Sequence, residues 1–237
     1  MQEIAVVLAG DKFDPNVHVK QIYKRLHRYC TDFRLTVFTD QQINIDEVRT
    51  IPLPQWDLNP RGLWWYKIYM FGPHSWTGPV LYMDLDTILI GNIDKFWDYE
   101  PNKFCICQDF NRQFIDTYPV SNSSVIRFDP AKYTDIYNTF VENPQKIIRQ
   151  YRGDQDYITA YFKERNDKQW WPKEWAMSYK WEIKHGGTRV GGLDVKYPDD
   201  YIQPDLPEVI PEPCSIVVFH GKPDPYETEF GKRYLND

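Results

Sequence analysis

Residues Ile4-Ala5-Val6-Val7-Leu8-Ala9-Gly10-Asp11 form an unbroken apolar run that closes on a glycine and an aspartate. An apolar run without polar alternation marks a strand buried on both faces. Asp14-Pro15 follows, an acid able to cap a helix and a proline suited to its first turn. Val19, Ile22, Tyr23, Leu26 and Cys30 then recur at helical spacing, and Leu35-Thr36-Val37-Phe38 makes a second strand ending at Thr39-Asp40. Strand, helix and strand at this spacing form a βαβ unit. Such a unit needs parallel strands covered by helices, so the predicted class is α/β.

Working outward, a third strand is expected near Val48 to Leu53 and a helix near Gly62 to Phe71. Val80-Leu81-Tyr82-Met83 is a strand that runs into Asp84-Leu85-Asp86. Lys103 to Cys107 and Ser124 to Phe128 read as strands, and Tyr133 to Gln150 as helix broken at Pro144. Another helix should start at Asp154, and Ser215 to Phe219 is a last buried strand stopped by His220-Gly221-Lys222-Pro223. No repeat or linker divides the chain, so residues 1–237 are expected to form a single domain.

Acidic residues outnumber basic ones, 34 to 28, for a net charge of −6. That balance disfavours a nucleic-acid partner, which would ask for a basic surface. No apolar run reaches the roughly 18 residues of a transmembrane segment, and Met1-Gln2-Glu3 lacks the basic start of a signal peptide. Cys30, Cys105, Cys107 and Cys214 show no zinc-ribbon spacing; Cys105 and Cys107 alternate within a strand, as packed thiols do. The expectation is a soluble cytoplasmic protein. The aromatic share of 16% keeps carbohydrate and nucleotide ligands in view.

Asp84 and Asp86 lie two apart at a strand end, so alternation would turn both carboxylates to one side. Strand carboxyl ends are where α/β sheets bind ligands, and two hard oxygen donors suit Mg²⁺ or Mn²⁺ and, through it, a diphosphate. By itself an Asp-x-Asp reads more readily as a turn aspartate with a capping partner. His220 also follows a buried strand directly, and an imidazole joined to two carboxylates moves the preference to Mn²⁺. Gly221 would allow close backbone approach to phosphate, and Lys222 would supply a cation. Asp154 and Gln155, at a helix start, read either as an N-cap or as ligands of sugar hydroxyls. Asn122-Ser123-Ser124 has the same double reading, as turn or polar contact.

In this order the pieces resemble the GT-A glycosyltransferases, and among them the glycogenin-like family 8. Asp84-Leu85-Asp86-Thr87-Ile88-Leu89-Ile90-Gly91-Asn92-Ile93-Asp94 is similar to that family's metal-binding strand and the segment after it. Asn122-Ser123-Ser124 resembles its Asn-Ser-Gly, Asp154-Gln155 its Asp-Gln, and Lys67 its nucleotide-sugar lysine. His220-Gly221-Lys222-Pro223 is shorter than the family's His-x-x-Gly-x-x-Lys-Pro-Trp and lacks the tryptophan. The resemblance implies a single Rossmann-like domain with a mixed, mostly parallel sheet flanked by helices. Residues 1–110 would be mainly the nucleotide-binding half and 111–237 mainly the sugar and acceptor half.

It further implies a metal-dependent, retaining transfer of a hexose from a nucleotide diphosphate sugar, most often a UDP-sugar, to a hydroxyl acceptor. The metal, Mn²⁺ with Mg²⁺ as alternative, would sit on Asp84, Asp86 and His220. Donor contacts would come from Leu8, Gly10, Lys67, Asp84, Asp109, Asn122, Ser123, Gly221 and Lys222, with Asp154 and Gln155 at the reacting carbon. Residues 165–190 carry four tryptophans among Lys and Glu, and Trp171, Trp175 and Trp181 are the acceptor candidates, whereas Trp64-Trp65 reads as helix packing. Two rival readings are a haloacid-dehalogenase-type phosphatase with Asp84 as nucleophile and a non-catalytic carbohydrate-binding protein.

Overall fold

A computed structural model describes residues 1–113, 115–184 and 208–236. β1 (Gln2–Leu8) is joined by α1 (Lys20–Tyr29) to β2 (Phe33–Thr39), and the two strands pair in parallel from Gln2 opposite Phe33 to Leu8 opposite Thr39. β3 (Arg49–Pro52) extends the sheet beyond β2, and β4 (Val80–Met83) lies parallel on the other side of β1. Between β4 and β6 (Phe104–Gln108) come the short β5 (Thr87–Leu89) and α2 (Lys95–Asp98). β7 (Ser121–Phe128) runs antiparallel to both β4 and β6. α3 (Pro130–Glu142), α4 (Pro144–Gln150) and α5 (Asp154–Tyr161) lead to β8 (Lys168–Trp170), parallel to β6. The seven-stranded order is β3-β2-β1-β4-β7-β6-β8, with β7 alone reversed. β9 (Ala176–Ser178), β10 (Ile216–Val218) and β5 form a second small sheet in the order β5-β10-β9, and α6 (Glu229–Leu235) follows.

The mixed, mostly parallel sheet expected from the sequence is therefore present. Strand alternation sorts β1 between two cores. Ile4, Val6 and Leu8 face Leu26 of α1 and Phe96 of α2, while Ala5 faces Trp65, Ile68 and Phe140. Cys105 and Cys107 pack in the first of these cores, and burial pushes both thiols up to about 12. Among the described residues no helix is long and apolar enough to cross a membrane.

Several boundaries differ from expectation. A π-helical turn over Pro15–Val19 precedes α1, and the helix expected to Phe71 is a 3-10 helix over Leu63–Phe71. β7 begins at Ser121, so Asn122, Ser123 and Ser124 are strand residues rather than a turn before it. α3 starts at Pro130 because Asp129 accepts from the Ala131 amide, and the break falls at Pro144 as expected. β5, β8 and β9 are three residues each, too short to carry a periodicity.

One buried side chain fixes the connection from α2 to β6. Arg127 of β7 donates to the main-chain carbonyls of Phe96, Trp97, Tyr99, Glu100 and Lys103. Glu100, at φ 42°, holds the left-handed conformation within that loop.

Candidate active site

Asp84 ends β4 with its amide donating to Ser124 O, and Thr87 N then donates back to Asp84 O at 3.2 Å. Asp84-Leu85-Asp86-Thr87 is thus a tight turn between β4 and β5. The two carboxylates are brought together by that turn, not by strand alternation as expected. Both line a cleft of about 380 Å³ that also takes in Lys12, Phe13, Trp64 and Lys67. Gly10 stands nearby with φ +68°, and a Cβ on it would lie 2.5 Å from Leu63 Cδ1, so the close approach of this rim needs glycine.

Lys67 organises the floor. Its ammonium, 6% exposed by residue, donates to Ser123 O at 3.1 Å and Ser123 Oγ at 2.8 Å. It stands 3.1 Å from Asp84 Oδ1 and 3.2 Å from Asp154 Oδ2. Burial alone would lower its pKa, but the charges of Asp154 and Asp84 outweigh it and hold the lysine protonated. Tyr82, two before Asp84, donates its hydroxyl to Asp84 Oδ1 at 2.5 Å. The N-cap of α5 is Gly153, not Asp154, whose side chain is turned inward to Lys67. Asp154 Oδ2 is buried and takes no hydrogen bond of good geometry, so it keeps unused acceptor capacity.

Gln155 Nε2 donates to Asp109 Oδ2 at 3.2 Å, joining two more of the expected sugar contacts. Asn122 is 7% exposed and accepts from Ser124 N, which shapes its own strand. Leu8 is fully buried in the core, so its expected donor contact could come only from backbone.

Asp86 behaves differently from Asp84. Its carboxylate makes no hydrogen bond or ion pair among the described residues. Burial and the neighbouring Asp84 charge push it up to about 7, against the pull of Lys12 and Lys67. Phe219 N donates to Asp86 O, which brings His220 to the same edge. His220 Nε2 is 2.7 Å from Ser178 Oγ, and its ring stacks on Phe110 at 4.9 Å and meets Trp181 edge-on at 4.6 Å. Among the described residues no three His, Cys, Asp or Glu side chains are assembled as a ready metal cage. The chemistry of the set nonetheless fits a divalent ion: two carboxylates joined by one turn, one of them without a hydrogen bond or ion pair among the described residues, with an imidazole at the same sheet edge.

Lys222 is engaged elsewhere. Its ammonium is held by Asp224 Oδ2 at 2.6 Å and Glu227 Oε1 at 2.7 Å. Lys180 donates to His220 O at 2.5 Å, and a Cβ on Gly221 (φ +77°) would lie 3.5 Å from its Nζ. Nothing in the sequence around Lys180 signals that proximity. Lys12 and Tyr82 were not singled out from the sequence, although the first follows Gly10-Asp11 and the second lies two before Asp84.

The tryptophan expectations divide. Trp171 is 1% exposed, donates Nε1 to Val125 O and packs against Phe96, so it is core and not an acceptor surface. Trp175 is half-buried beneath the Lys95 ammonium, and Trp181 abuts His220. Arg112 and Glu182, both buried, tie this stretch down, and Glu182 also accepts from Ser178 N. Residues of the stretch beyond 184 lie outside those described.

No protein-family model and no curated protein matches the chain by sequence. Solved structures do match it in three dimensions. The galactosyltransferase LgtC, in complex with donor and acceptor sugar analogues, superposes with a TM-score of 0.63 at 14% identity, over 99% of this chain and 94% of LgtC. The glycosyltransferase GlyE of Streptococcus pneumoniae TIGR4 gives 0.65 at 11% identity, over 100% of this chain and 60% of GlyE. The chain has the GT-A glycosyltransferase fold. The bifunctional glycosyltransferase WbbM shares it too, at a TM-score of 0.61 and 12% identity, over 100% of this chain and 50% of WbbM. Within the GT-A fold of this chain, the reversed β7 brings its own first residues to the edge where β1 and β4 end, so Ser123 meets Lys67.

Proposed function

We propose that this protein is a metal-dependent glycosyltransferase that moves a hexose from a nucleotide diphosphate sugar, of the UDP class, to a hydroxyl acceptor with retention of configuration. The observation that carries the reading is the buried Lys67–Asp84–Asp154 group, in which Asp154 Oδ2 is paired with Lys67 and keeps acceptor capacity, beside Asp86, whose carboxylate has no hydrogen bond or ion pair among the described residues. Asp84 and Asp86 would hold Mn²⁺ or Mg²⁺, with His220 joining on release of Ser178. The ion's contribution is Lewis-acid stabilisation of charge on the departing nucleoside diphosphate. Lys12 and Lys180, whose charges both reach Asp86, offset the phosphate charge. Asp154 Oδ2 accepts from a sugar hydroxyl, and Lys67 keeps that carboxylate ionised and in place. Asp109 and Gln155 hold the next hydroxyls.

The phosphatase alternative asks Asp84 to attack phosphorus. Asp84 instead shares its Oδ1 between Lys67 and Tyr82, which lowers its nucleophilicity and fixes its direction. A purely binding protein has no use for a buried lysine between two acids.

Calorimetry of UDP with and without Mn²⁺ tests the proposal. Binding should require the metal and weaken strongly in Asp86→Asn. UDP affinity indifferent to both metal and Asp86→Asn would sink the reading.

A further inference from the structure

The 3-10 helix over Leu63–Phe71 turns two adjacent tryptophans in opposite directions. Trp65 is fully buried and stacked on Phe140 at 5.5 Å. Trp64 is 52% exposed and lines the cleft that holds Lys67, Asp84 and Asp86. Its six-membered ring lies against Gly62, where a Cβ would come within 2.0 Å of Cζ3. Its pyrrole edge lies against Gly153, where a Cβ would stand 3.2 Å from Nε1. Neither glycine could carry a side chain without moving the indole. Among the described residues the Trp64 ring has no aromatic or cationic partner, and its Nε1–H makes no hydrogen bond.

An indole seated on backbone, half exposed and without partners, on the wall of the cleft that holds Asp84 and Asp86 is an apolar plate with one donor. A pyranose ring matches it: C–H bonds along one face for the plate, hydroxyls around the edge for the donor. Gly153 precedes Asp154, so a ring laid on Trp64 would lie beside the residue assigned to the reacting sugar. The buried Lys67–Asp84–Asp154 group serves the inner substrate, and Trp64 stands on the solvent side, from which the second substrate arrives. We propose that Trp64 is the platform on which the acceptor's sugar ring stacks. The acceptor is thereby a glycoside, and the role expected of Trp171 moves to a residue that sequence pattern assigned to packing. The inference rests on the transfer reaction proposed above.

The test is nuclear magnetic resonance of the full chain labelled with ¹⁵N, loaded with UDP and Mn²⁺ and titrated with methyl hexopyranosides. The Trp64 indole N–H peak, assigned by its loss in Trp64→Phe, should move saturably with at least one glycoside. Trp64→Ala should weaken that glycoside about tenfold, the scale of one aromatic contact, and raise the acceptor KM more than it lowers kcat. Trp64→Phe should recover most of the affinity, and UDP should lose far less than the glycoside in either variant. A peak unmoved by every glycoside while UDP binds normally overturns the platform and leaves the transfer reading standing. Equal losses for UDP and glycoside in Trp64→Ala also overturn it, by placing Trp64 on the donor side. Failure of the wild-type chain to bind UDP with Mn²⁺ overturns the transfer reading itself.

Discussion

Arg112 and Glu182 face each other as a buried two-point pair, Nε to Oε1 at 3.0 Å and Nη2 to Oε2 at 3.1 Å. Arg112 also donates to the carbonyls of Lys173 and Ala176, and Glu182 accepts from Ser178 N at 2.7 Å. This one pair pins the stretch that carries Trp175, Ser178 and Lys180 against the turn after β6.

Breaking that pair strands a buried charge. Glu182→Gln should cost about 3 kcal/mol of stability, read from urea unfolding. The same variant should loosen Ser178 from His220 and shift the His220 ring resonances. Normal stability in Glu182→Gln would show that water or another group replaces the carboxylate.

At the floor of the cleft, Asp154→Asn keeps the shape of the side chain and removes its charge. Turnover of a UDP-sugar should fall about 100-fold, the order expected for losing one oriented polar partner. UDP affinity should fall much less, because Asp84 still faces Lys67. Parallel losses in turnover and UDP affinity would place Asp154 on the nucleotide instead.

Lys180 and Lys222 can be ranked directly. Lys180→Gln should weaken UDP about fivefold or more, as loss of a partly buried cation beside phosphate would. Lys222→Gln should weaken it by much less, since its ammonium is engaged by Asp224 and Glu227. Calorimetry of the two variants with Mn²⁺ decides; the reverse order would restore the role first expected of Lys222.

Glu3 gives a pH dependence that is independent of the site. It is 1% exposed and lies opposite Arg34 in the β1–β2 pairing. Burial alone would raise its carboxyl, but hydrogen bonds from Arg34 and Thr77 outweigh burial and hold it below the ordinary 4.5. The folded state therefore binds this proton less readily than the unfolded one. Its stabilising contribution is complete above about 4.5 and is lost as pH falls through the depressed folded value. Urea midpoints measured downward through that window should drop more steeply for wild type than for Glu3→Gln.

Much of this was legible in the chain. The runs at Ile4, Leu35 and Val80 gave the parallel sheet because buried strands must be apolar on both faces. Asp84 and Asp86 were recognisable as a pair, yet the turn that joins them depends on Thr87 N reaching Asp84 O, which no spacing reveals. Asp154 could be read as cap or ligand; Gly153 takes the cap position and Asp154 turns inward to Lys67, a placement no spacing reveals. Trp64 and Trp65 are identical in composition and adjacent in sequence. Only the rotation of a 3-10 helix against α3 and α5 separates core from rim. Lys180 went unread for a similar reason: β9 and β10 bring it to His220 across 40 residues of chain.

The Arg127 nest has a further consequence. Its partners in the loop before β6 are carbonyl oxygens, which every residue type supplies, so that loop takes its course from a side chain outside itself. The amino acids at Asn102 and Lys103 can change charge, size and solubility while the path of the chain stays put, whereas Glu100, at φ 42°, is limited to residues that accept the left-handed conformation. Surface redesign, epitope grafting or attachment of a label could use those positions as a rigid mount, provided that Arg127 is left alone.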